Sequence, residues 1–161
     1  GSPYRTNEKM IIGSDRTKEI LENSDVELII CGHTHRQGKT EHKSRGVLNP
    51  GSLGVPLGSD GKAQFLILKS TESGWQEEFV SLEYDVDAVI TDMEEDNLFF
   101  HAPSWSRSTE RLLRDGLVSN GTVLSRAMEL CKQEKGECNW PDIPEKYWEK
   151  ALIETEKKLI F

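Results

Sequence analysis

At 161 residues the chain has room for one domain, or for one domain with a small appendage. Its formal net charge of −8 argues against sequence-independent binding to a nucleic-acid backbone, which needs clustered Lys and Arg, but leaves a small phosphorylated substrate admissible. With 35% hydrophobic and 30% charged residues the chain is polar, yet its apolar residues gather into periodic segments, the pattern of a folded, soluble protein. No apolar run approaches the roughly 18 residues that span a bilayer, so no membrane segment is expected, and no signal-peptide pattern opens the chain. Cys31, Cys131 and Cys138 lack a paired spacing such as C-x-x-C, which points to reduced thiols and a cytoplasmic location.

In chain order, Ser14 or Asp15 is placed to cap a short helix through Leu21, which Asn23-Ser24-Asp25 stops. Val26 to Cys31 is a nearly continuous apolar run, as expected of a strand buried on both faces of an α/β sheet. Lys39 to Arg45 is polar, and Arg45 to Asn49 reads as a short strand closed by Asn49-Pro50-Gly51-Ser52 and a Gly-rich loop through Gly61. Ala63–Leu68 and Glu78–Tyr84, separated by Ser70 to Gly74, predict an antiparallel pair. From Asp85 the spacing of Val86, Val89, Ile90 and Met93 is helical. Three further helical segments are expected, around Leu112 and Leu113, around Leu124 to Cys131, and after Pro144-Glu145. The fold class is therefore α/β, divided into residues 1–100 and a helical appendage over 101–161.

Gly32-His33-Thr34-His35 follows the strand directly. Open α/β sheets collect ligands at the carboxyl ends of their strands, and alternate histidines there can aim two imidazoles into one crevice. Imidazole suits Zn, Fe, Ni and, in mixed oxygen–nitrogen sites, Mn. A pair of polar surface histidines is the competing reading of these four residues taken alone.

Fourteen residues after His35 stands Asn49-Pro50-Gly51-Ser52-Leu53-Gly54, and the two blocks together resemble the last motif of calcineurin-like metallophosphoesterases. Gly1-Ser2-Pro3 is similar to the tail of that family's His-Gly-Ser-Pro block. The resemblance covers about residues 1–90. It implies the C-terminal portion of a four-layer αββα sandwich, with two divalent metal ions (Mn, Fe, Zn or Ni) at the strand ends. His33 would bind one metal and His35 the other, and a metal-activated water would hydrolyse a phosphomonoester or phosphodiester.

The family's Asp-x-His, Gly-Asp and Gly-Asn-His or Gly-Asn-Cys blocks do not occur in these residues. Gly13-Ser14-Asp15 and Gly58-Ser59-Asp60 are in the wrong order for them and read as caps or turns. Two neutral imidazoles without a bridging carboxylate cannot hold two divalent cations together against their repulsion. The chain by itself is therefore expected to be inactive and to need the N-terminal half of the domain as its partner. No single residue is assigned as the catalytic acid or base.

For the substrate, Arg36 beside the ligands and Arg5 near the chain start offer guanidinium groups. Asn49, Gly51 and Ser52 form a loop whose backbone N–H groups suit a phosphate. Gln37 stands where the family often has proline. Trp105, Trp140 and Trp148 with Tyr147 give the C-terminal segment an aromatic payload to bury against the sandwich or a second subunit, so a homo-oligomer is one expectation. His42 and His101 read as surface residues. The alternative function is a non-catalytic scaffold, since a retromer subunit of this fold has similar motifs and acts by protein contact.

Overall fold

The computed structural model describes residues 9–159, so Gly1-Ser2-Pro3 and Arg5 lie outside the described residues. Two compact units divide the chain, one ending at Glu83 and one beginning at Tyr84. That division falls before the helix that was expected to close the first unit, rather than at 100/101.

In the first unit, helix α1 (Asp15–Glu22) begins at Ser14, whose hydroxyl accepts a hydrogen bond from the Thr17 N–H. A side-chain acceptor at that position satisfies one of the donors every helix start leaves unpaired. At the other end, Arg45 Nη1 donates to the Leu21 and Glu22 carbonyls at 3.0 and 3.1 Å, closing part of the complementary deficit. Leu21 and Thr17 are fully buried. Leu21 packs with Met10, Cys31 and Val47 to form this unit's core.

Three short strands follow: β1 (Leu28–Ile30), β2 (Gly38–His42) and β3 (Arg45–Asn49). They lie in the order β1-β3-β2, with β1 parallel to β3 and β2 antiparallel to it. β3 is the central strand and reads Gly46, Val47, Leu48 and Asn49 all buried. The expectation of a first strand buried on both faces is corrected: β1 has only β3 beside it among the described residues, and Ile30 at its end is 58% exposed. β2 was not anticipated, because its sequence GKTEH carries a single inward residue, Thr40. Thr40 Oγ1 accepts from the Gly13 N–H at 2.6 Å, which ties the approach to α1 onto the sheet.

Strands β4 (Ala63–Thr71) and β5 (Gly74–Leu82) form the expected antiparallel pair, longer than the apolar pattern indicated. Only two residues, Glu72 and Ser73, separate them, and Gly74 adopts φ +118°, a backbone conformation that glycine enters without steric cost.

The second unit is helical: α2 (Val86–Glu95), α3 (Leu98–His101), α4 (Pro103–Asp115), α5 (Asn120–Lys135) and α6 (Glu145–Lys157). Asp85 caps α2 by accepting from the Ala88 N–H. Ile90 and Met93 of α2 are buried with Leu113 of α4, which is why α2 belongs to this unit. A second cluster joins Val123, Ala127, Leu130 and Cys131 of α5 to Tyr147, Trp148, Ala151 and Leu152 of α6. Cys31, Cys131 and Cys138 are free thiols. No helix among the described residues is long and apolar enough to cross a membrane.

Leu21→Ala removes a fully buried side chain and is expected to cost about 2–5 kcal/mol, whereas Val26→Ala, at a half-exposed position, is expected to cost under about 1 kcal/mol. Urea denaturation of both variants checks this, and equal midpoints would remove Leu21 from the core.

Candidate functional site

Parallel pairing of β1 and β3 brings their carboxyl ends side by side, because Ile30 is opposite Leu48 and the Cys31 N–H donates to the Leu48 carbonyl at 2.9 Å. The chain leaves β1 into Gly32-His33-Thr34-His35 and leaves β3 into Pro50-Gly51-Ser52. Two turns far apart in sequence thus become neighbours by strand register alone.

Both histidines have left-handed backbone, φ 73° at His33 and φ 55° at His35. For a residue with a Cβ this conformation costs roughly 1–2 kcal/mol. Such cost persists where the surroundings over-determine it, and it accumulates at functional sites. His33 and Arg36 are exposed, and His35 is half-buried.

What holds the turn is Asn49, whose side chain is fully buried. Its Nδ2 donates to Thr34 Oγ1 at 2.9 Å, and its Oδ1 accepts from the Gly51 N–H at 3.0 Å. One amide therefore joins both turns. The same residue lies against Cys31, whose thiol is pushed up chiefly by burial, so Cys31 is a core residue and a poor nucleophile at neutral pH.

Gln37 performs a similar service at the far end of the histidine turn. Its Nε2 lies 3.1 Å from each of the Pro50, Phe65 and Val80 carbonyls, so it links the β1–β2 connection to the second turn and to both β4 and β5. Beneath it Gly51 has φ +87°, and a Cβ there would lie 2.6 Å from Gln64 Oε1 and 2.7 Å from Gln64 Cβ. Glycine is required twice over, by its backbone angle and by the space available.

These contacts revise the substrate-binding expectations. The amide of Asn49 and the N–H of Gly51 are spent on each other and on Thr34, so they position the turns rather than cradle a phosphate. The Ser52 hydroxyl accepts from the Val55 N–H within its own turn. Arg36 makes no hydrogen bond among the described residues that competes with a ligand. The sequence marked Gln37 only as a departure from proline and gave it no role, since no local signal marks a side chain whose partners lie 13, 28 and 43 residues away.

Among the described residues no group of three or more His, Cys, Asp or Glu is gathered for a metal. The imidazole pair is chemically suited to a divalent transition metal, but it does not by itself fit a two-metal centre.

The geometry defines a class: an α/β unit that presents two strained histidines at the carboxyl ends of adjacent parallel strands. Within that class, residues 9–73 match the family model for the calcineurin-like phosphoesterase superfamily domain. The match takes in both turns and ends just past β4. The family is generally hydrolytic towards phosphoesters and typically dependent on divalent metal. No curated protein and no solved structure matches the chain.

Asn49→Ala leaves the half-buried Thr34 hydroxyl and the Gly51 N–H without their partner and is expected to destabilise the first unit by about 1–3 kcal/mol. It should also shift the imidazole NMR signals of both histidines. Unchanged signals would show that Asn49 does not fix the turn.

Proposed function

We propose that this chain supplies the histidine edge of a metal-dependent phosphoesterase active site, with His33 and His35 as ligands and Arg36 facing the substrate phosphate. The observation that carries this reading is the family match over residues 9–73 with both of its turns brought together at the ends of β1 and β3. The carboxylates such a site requires come, in this proposal, from the N-terminal half of the domain, which would also complete the four-layer sandwich. The reaction is hydrolysis of a phosphomonoester or phosphodiester, with manganese, iron, zinc or nickel as the divalent metal.

What these residues contribute chemically is placement. The Asn49 amide and the Gln37 amide hold the strained turn in register, so two imidazoles are presented without further ordering when ligands arrive. Free thiols at Cys31, Cys131 and Cys138 support residence in a reducing cytoplasm.

The test joins the chain to the N-terminal half of the domain and follows bis-p-nitrophenyl phosphate hydrolysis with Mn²⁺. His35→Ala is expected to lower turnover by about a hundredfold or more, since outer-shell partners alone are commonly worth 10–100-fold. Equal turnover in the variant would sink the ligand assignment. Absence of turnover with every phosphoester tried, in a folded sample, would favour a scaffold acting by protein contact.

A further inference from the structure

The helical unit contains a cavity of about 320 Å³ that the phosphoesterase reading does not use and that stands independently of it. Its walls include Trp105, Trp140 and Trp148, with Ile143, His101 and Glu145 beside them. Core packing explains two of the indoles: Trp148 is 7% exposed, and Trp105 packs against both helical clusters. It does not explain Trp140, which is 60% exposed. The Trp140 and Trp148 rings meet at 67° with centroids 6.3 Å apart, so their planes form a corner rather than a stack.

Glu145 is the one carboxylate in the wall. One of its oxygens accepts from the Ser104 N–H at 2.8 Å, and the other makes no hydrogen bond among the described residues. Glu145 opens α6 and Ser104 lies in the first turn of α4, so this one hydrogen bond ties the two helix starts together and leaves the second carboxylate oxygen available to a ligand. The field a ligand meets comes from this carboxylate, from the indole faces and from the surrounding segment, in which sixteen Asp and Glu stand against ten Lys and Arg between residues 84 and 161.

Indole faces attract cations within about 6 Å of the ring centroid, and perpendicular aromatic walls suit a cation that carries its own apolar shell. A bare ammonium would lose hydration that these walls do not replace. A phosphate or carboxylate would meet Glu145.

We propose that this aromatic corner binds a methylated ammonium group, of the kind carried by choline. The methyl groups pack on Trp140, Trp148 and Trp105, and the free oxygen of Glu145 supplies the counter-charge. The pocket volume lies at the small end of ligand sites, which suits a single small head group.

The full chain titrated with choline chloride, and followed by the indole N–H signals in NMR, tests the assignment. Trp105, Trp140 and Trp148 are expected to shift together while Trp75, in the other unit, stays in place. The neutral isostere 3,3-dimethylbutan-1-ol should bind roughly fivefold more weakly, as should choline to Glu145→Gln, which keeps an acceptor for Ser104 but loses the charge. Trp140→Ala, at an exposed position, should weaken choline binding by a similar factor. Equal affinity for choline and its neutral isostere would reduce the site to an apolar hollow, and no shift of the three indoles would overturn the proposal.

Discussion

A single buried amide holds the first unit's functional end together. β1 and β3 run parallel and finish side by side, and each leaves its strand through a turn that ordinary backbone preferences disfavour: left-handed at His33 and His35, left-handed again at Gly51. The second turn holds itself in part, through Ser52 and the Val55 N–H, but the histidine turn depends on a residue far away in sequence. Asn49, at the last position of the central strand and without solvent exposure, donates into one and accepts from the other. An amide has a donor end and an acceptor end and so satisfies both turns, whereas aspartate would bury a charge while losing the donor.

The energetic scale is consistent with that arrangement. Two left-handed histidines cost roughly 2–4 kcal/mol together. Hydrogen bonds net about 0.5–1.5 kcal/mol each, so the Asn49 pair alone offsets only part of this strain. Gln37 adds the rest of the support by reaching the Pro50, Phe65 and Val80 carbonyls, which makes the β4–β5 hairpin a buttress for the histidine turn. The helical unit rests on different terms, chiefly apolar contact between α5 and α6 and between α2 and α4, with Ala127 and Ala151 allowing close approach of their helices.

Much of this was legible in the sequence, and the failures have physical causes. Ser14 as a cap, β3 over Arg45–Asn49, the antiparallel pair and the start of α6 after Pro144 all follow from local chemistry. β2 was hidden because a strand with one inward residue leaves no alternation to detect. The burial of β1 was overstated because an apolar run reports what a strand can bury, not how many neighbours it has. Asn49 and Gly51 were recognised as a motif but given a ligand's role, because a motif does not say whether its polar atoms face outward or each other. Gln37 stood in plain view where proline is common; only the approach of three distant carbonyls gives it meaning.

The close approach beneath Gly51 has a consequence for how this loop can vary. Gln64 leaves no space for even a methyl group there, while Leu53 is 67% exposed and a side chain added at Gly54 would meet nothing within 4 Å. Rigid and permissive positions therefore alternate within four residues of one turn. Side chains at Leu53 and Gly54 can therefore vary without moving the imidazoles, because the tightly packed part of the loop at Gly51 and the outward part share a backbone but no side-chain contact among the described residues.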